Sequence, residues 1–142
     1  MYREMTQLIL GSTLLTSMAF ANVVPPSPDG NGDYTSGARG WYYWQVTDND
    51  PAGLNCRATR EFADGYWILS DDLRDDIQNF PVLRRFPLGT LLIVNYAPAG
   101  FALWHDDAGK PWLRVSLARD SDSMCFVRAH SRYVRPISTS WD

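Results

Sequence analysis

Gly53-Leu54-Asn55-Cys56-Arg57 alternates apolar and polar side chains, the period of a strand buried on one face. Leu54 and Cys56 point one way, Asn55 and Arg57 the other. Upstream, Asp48-Asn49-Asp50-Pro51 has the chemistry of a turn, and Trp41-Tyr42-Tyr43-Trp44-Gln45-Val46 before it is aromatic and β-prone. Downstream, Leu88 to Val94 is a near-continuous apolar run behind a Pro87/Gly89 turn, the pattern of a buried strand. A loop opened by Pro98 and Gly100 leads to Phe101-Ala102-Leu103-Trp104, a further strand candidate, and to the turn Asp106-Asp107-Ala108-Gly109. Pro111 to Leu117 alternates again, Arg119 to Ser123 is a polar turn, and Cys125 to Arg128 and Tyr133 to Ile137 read as closing strands. One segment has another period. Leu69, Leu73, Ile77 and Phe80 form a helical stripe, with Ser70 as N-cap, Asp71 and Asp72 in the first turn and Pro81 as terminator, so a short helix is predicted over 70–80. About five short strands with one helical interruption predict an all-β fold, a small barrel or sandwich.

The ends of the 142-residue chain read differently. Residues 1–21 have the pattern of a signal peptide: Arg3, a short apolar stretch from Leu8 to Phe20, and Ala19-Phe20-Ala21 as an A-x-A cleavage site. The apolar stretch is too short to span a bilayer, and no cysteine follows it to carry a lipid. Residues 22–40 have the Pro/Gly/Ser/Asp composition of a flexible linker, and 138–142 form a tail. One small domain, 41–137, remains, which excludes two-domain enzymes, repeat arrays and polytopic membrane proteins. The expected location is periplasmic or extracellular, with no stable membrane insertion after cleavage.

Export into an oxidising compartment makes a disulfide the default for the two cysteines, Cys56 and Cys125. The alternative is a Cys/His hydrolase using His105 or His130, although a nucleophilic thiol gains nothing from a second cysteine. The net charge of −3 is unevenly spread: three Arg face eight acids over 41–83, whereas seven Arg and one Lys face four Asp over 84–137. A near-neutral, dipolar domain argues against nucleic acid. Basic residues are almost all Arg, suited to bidentate contacts with carboxylate or phosphate.

The pieces also carry a resemblance. Gly53-Leu54-Asn55-Cys56-Arg57 resembles the Gly-Leu-Asn-Val-Arg opening strand of bacterial SH3 (SH3b) domains, and Phe80 to Thr90 is similar to their Tyr-Pro-Val-Ile-x-x-Leu-x-x-Gly-Thr segment. Pro111-Trp112-Leu113-Arg114-Val115 is similar to their Gly-Trp-Tyr-Lys-Val strand. Cys125-Phe126-Val127 with Tyr133-Val134-Arg135-Pro136 is similar to their closing Gly-Trp-Val with Tyr-Leu-x-Pro. The resemblance, spanning about Gly53 to Ile137, implies an SH3-like barrel. In such a barrel the first and last strands are neighbours, so Cys56 and Cys125, standing where Val and Gly are usual, look like a disulfide fastening its ends. The segment 57–79 is longer than the usual loop and holds the predicted helix; the loop 96–110 is also long.

Few residues suggest chemistry. Asp29-x-Asn31-x-Asp33 resembles a calcium loop but has Tyr34 where the turn needs Gly and Gly40 where a bidentate Glu belongs. Asp71, Asp72, Asp75 and Asp76 read as a solvated helix face, the alternatives being pairing with the chain's own basic half or a divalent metal, for which no loop carbonyl arrangement is evident. No Gly-x-Ser-x-Gly, His-Glu-x-x-His or P-loop is present, and no catalytic residue, metal or cofactor is expected. For binding, Arg128, His130 and Arg132 share a face if the strand continues, with Arg135 beyond, and would suit an anionic polymer or a peptide carboxylate. Tyr66, Trp67 and Trp104 fall in the two long loops, where exposed rings stack on sugars or grip side chains. The expected function is a non-catalytic, exported binding module for a peptide, cell-wall component or envelope protein. The alternative is a small secreted inhibitor or structural envelope protein using the 70–80 insertion as its contact surface.

Overall fold

The alternation at Leu54–Arg57 becomes a strand, as do most of the other apolar segments. The computed structural model describes residues 24–58, 76–95, 102–118 and 123–139. The predicted signal peptide, Tyr66, Trp67, and Asp71, Asp72 and Asp75 lie outside the described residues. The strands are β1 (Tyr43–Val46), β2 (Leu54–Arg57), β3 (Val82–Phe86), β4 (Leu91–Ile93), β5 (Leu103–His105), β6 (Pro111–Ser116), β7 (Met124–Arg128) and β8 (Val134–Ser138). They form two antiparallel sheets, a three-stranded one in the order β4-β1-β8 and a five-stranded one in the order β3-β2-β7-β6-β5. The fold is all-β, with eight strands among the described residues where about five were predicted. The sheets are bridged by Val94 with Val115, and Asn95 N–H donates to the Arg114 carbonyl at 3.0 Å. Among the described residues this pairing does not close into a ring.

Strand β3 shows why the sequence undercounts. Leu83, Arg84 and Arg85 are all exposed on this sheet edge, so no alternation marks it. The predicted helix over 70–80 is also not found in the part described. Only one 3-10 turn, Ile77–Asn79, is present there, closed by Phe80 N–H to the Ile77 carbonyl at 3.0 Å; residues 70–75 lie outside the described residues. Phe80 is extended ahead of Pro81, as the proline ring requires.

Both sheets turn their apolar sides to one core. Trp44 and Val46 of β1, Leu92 of β4 and Val134 of β8 meet Leu54 and Cys56 of β2, Leu113 and Val115 of β6, and Cys125 and Val127 of β7. The opposite parity of β6 and β7 puts Trp112 and Phe126 on the other side of the larger sheet, where Ile77 covers them in a small second cluster. Gly53 enters β2 at φ +88°, and a Cβ there would lie 3.0 Å from the Phe86 carbonyl oxygen, so a side chain would be strained in conformation and crowded against backbone.

Residues 24–40, whose composition reads as a linker, pack against the domain. Asp29 Oδ1 accepts from the amides of Asn31 and Asp33, both at 2.9 Å, which rounds off a tight loop. The chain then runs beside the end of β7: Tyr34 N–H donates to the Ala129 carbonyl, and Ser131 N–H to that of Gly32, both at 2.8 Å. Tyr34 and Ala38 enter the main core. The Tyr34 ring meets Trp44 edge-on at 5.0 Å. Composition captured the lack of regular structure here, while the side-chain caps and two buried residues supply the packing.

Cys56 and Cys125 form a disulfide between neighbouring strands β2 and β7, with Cα atoms 5.4 Å apart, and both side chains are fully buried. No free cysteine remains to act as a nucleophile. The bond closes a loop with a sequence separation of 69 residues. Chain-entropy reasoning assigns such a loop about 4 kcal/mol. Denaturant unfolding of the Cys56→Ala/Cys125→Ala variant is expected to show a loss of at least that size, and titration of the native protein should find no reactive thiol.

Burial pushes the Tyr34 phenol above its ordinary pKa of 10.0. The charged form is therefore favoured by unfolding, so this contribution to stability is complete below about pH 10 and is lost as pH rises through the raised value. Tyr34→Phe is expected to move the midpoint of alkaline unfolding to higher pH, read by fluorescence.

Candidate functional site

The end of β7 carries the predicted basic residues, but only Arg128 is still in the strand. His130 forms a single bridge with Asp33, and residues 131–133 turn the chain into β8. Arg128, His130 and Arg132 nevertheless line one polar groove of about 660 Å3. Arg135, on β8, is drawn to the other sheet, where its Nε and Nη2 donate to Gln45 Oε1 at 3.0 and 2.6 Å. The groove also receives Asp48, Asp50 and Gly53 from the β1–β2 turn, Asn55 and Arg57 from β2, and Lys110 and Trp112 from the start of β6.

Most of the charged groups here are held in place. Arg128 donates to the Pro111 carbonyl at 2.6 Å and to Asp33 Oδ1 at 2.8 Å, with its guanidinium 5.7 Å from the centre of the Trp112 ring. Arg57 donates to the Phe80 carbonyl at 2.9 Å. Asp48 Oδ1 accepts from Asp50 N–H at 3.0 Å, and Asp50 Oδ1 from Ala52 N–H at 2.9 Å, so both carboxylates are used in shaping their own turn. His130 Nε2 lies 2.7 Å from the Asn31 carbonyl oxygen, which can only accept, and Nδ1 lies 3.0 Å from Arg132 N–H, which can only donate. These partners define the neutral, Nε2-protonated imidazole. Arg132 and Lys110 extend exposed side chains.

Trp104 does not share this groove. It sits on β5 opposite Trp112, half-buried, 5.5 Å edge-to-face with Phe126, and Arg114 lies over its ring at 5.4 Å. Tyr66 and Trp67 lie outside the described residues. Sequence reasoning missed Arg57, Lys110 and Asn31 as partners of this site. Arg57 had a usable signal, since the alternation of β2 sends it away from Leu54 and Cys56. Lys110 and Asn31 reach the groove from a hairpin turn and an irregular segment, which have no period to read. A second, more apolar groove of about 460 Å3 lies beside Tyr43, Leu91, Ile93 and Ile137, with Arg84 at its edge donating to the Leu117 carbonyl.

The β5–β6 hairpin that presents Lys110 depends on Asp106, which is buried. Its Oδ1 accepts from Ala108 N–H at 3.0 Å and Lys110 N–H at 2.8 Å, and its Oδ2 from the Trp112 indole at 2.9 Å. The Asp29–Asp33 loop of calcium-like spacing is likewise committed to internal partners, with Asp33 on Arg128 and Asp29 on its own loop amides. No family model, curated protein or solved structure matches this chain.

Two substitutions test this account of the site. Asp106→Ala strands three donors, one of them a buried indole, and is expected to cost about 2–4 kcal/mol in denaturant unfolding. Gly32→Ala places a Cβ 2.5 Å from His130 Nε2 at φ +88°; it is expected to release residues 29–34, seen as faster amide exchange at Tyr34 and Ser131 than in the wild type.

Proposed function

We propose that the chain is an exported, non-catalytic binding module with an SH3-like barrel, and that its ligand site is the polar groove at the end of β7. The observation that carries this reading is the convergence of Arg57, Arg128, His130, Arg132 and Lys110 on one open groove, with two guanidiniums already oriented by backbone carbonyls. Preoriented donors lose less entropy on binding a ligand. The partner is a peptide, a cell-wall component or an envelope protein. Short antiparallel strands around a single core support the barrel assignment, as does a disulfide between the strand of Gly53–Arg57 and that of Cys125–Val127. The buried disulfide also supports export. No helix among the described residues is long and apolar enough to cross a membrane. The described end of the insertion turns Ile77 inward onto Trp112 and Phe126, which favours the groove over the insertion as the contact surface.

Retention on purified peptidoglycan is the direct test. Arg132→Gln and Lys110→Gln, both at exposed positions, are expected to leave stability within about 0.5 kcal/mol and to weaken retention about tenfold each, the scale of one lost charge-assisted contact. Retention of the variants equal to wild type would move the site off the groove. Wild-type retention no better than on uncoated beads would remove the wall polymer from the candidate partners.

A further inference from the structure

The rim of the groove already holds a piece of peptide, the chain's own residues 31–34. This segment docks by two kinds of contact. Its backbone engages the β7–β8 corner: Tyr34 N–H donates to Ala129, Gly32 accepts from Ser131 N–H, and Asp33 forms an antiparallel bridge with His130. Its carboxylate, Asp33, accepts from Arg128 Nη2 at 2.8 Å, with both side chains only 18% exposed. The Asn31 carbonyl accepts from His130. A looped segment carrying one carboxylate is thus already bound, in cis, at one end of the site.

The rest of the groove holds two more cations, Arg132 and Lys110, and two acids, Asp48 and Asp50. Each of these acids gives one oxygen to an amide of its own turn, and neither pairs with Arg132 or Lys110. Arg132 and Lys110 line the groove, are exposed, and meet no carboxylate among the described residues. Guanidinium and ammonium groups lining an open groove select a carboxylate or another small anion.

We propose that the groove recognises a peptide segment bearing a carboxylate, through Arg132 and Lys110, as Asp33 of residues 31–34 already pairs with Arg128. This rests on the groove being the ligand site. The test is a titration of the isotope-labelled full chain, followed by NMR, with three probes: acetylated and amidated Gly-Asp-Gly-Asp, the same peptide with Asn for Asp, and inorganic phosphate. The acidic peptide is expected to shift the amides of Lys110, Arg132 and Tyr133. Its affinity should fall at least tenfold in Arg132→Gln and weaken steeply as salt screens the contact. The Asn peptide should produce no shifts.

Equal binding of both peptides would overturn carboxylate recognition while leaving the groove as a peptide site. Phosphate shifting the same amides at a lower concentration than the acidic peptide would overturn it in favour of phosphate chemistry. If neither peptide binds but Arg132→Gln still loses peptidoglycan retention, this inference fails and the groove reading stands. If retention is also indifferent to Arg132, both fail.

Discussion

The five-stranded sheet is made of two groups of strands, β3-β2 and β7-β6-β5, and they join at one seam between β2 and β7. The paired register along that seam is short, with Arg57 opposite Phe126. The disulfide from Cys56 to Cys125 stands at this seam, in the fully buried core. Without it, a domain of this size would rely on a brief ladder to hold strands almost 70 residues apart in sequence, and small cores leave little stability in reserve. The groove depends on the same seam, because Asn55 and Arg57 come from one side of it and Arg128 and His130 from the other.

Much of the fold was legible where burial differs between the two faces of a strand. The alternation at 53–57 marks β2; Pro111 to Leu117 contains β6 in full although that strand is buried on both faces. The cysteine pairing was legible from the expected redox compartment. Other elements lacked that contrast. β3 exposes three consecutive side chains at a sheet edge, so no periodicity marks it. Around Ile77 the apolar spacing suggested a helix, but the described part is a 3-10 turn whose buried residue answers to Trp112 and Phe126 rather than to a helical stripe. Residues 24–40 owe their order to single side chains, Asp29 as a cap and Tyr34 as an anchor, which composition averages away.

The candidate site was half legible for a similar reason. Arg128, His130 and Arg132 are close in sequence, so their spacing alone suggested a shared surface, although a turn rather than a strand brings the last of them into place. Arg57 and Lys110 join them only through tertiary pairing. Trp104 looked like a loop aromatic, but its place on β5 opposite Trp112 gives its ring packing partners. Stability and recognition also overlap at Arg128, which is at once a wall of the groove, the partner of Asp33 and a donor to the Pro111 carbonyl.

The contact between Asn31 and His130 joins residues 99 apart in sequence. A ribosome or an export channel delivers the chain from its N-terminus, so the 31–34 segment emerges among the first parts of the domain. Its docking site, the β7–β8 corner, is among the last. Cys56 likewise waits for Cys125. Contacts this distant are slow to form, and here they cannot begin until nearly all of the domain has been delivered. The domain therefore assembles after delivery rather than along the way, and until then Cys56 is an unpaired thiol and the basic residues of the groove are scattered along an open chain.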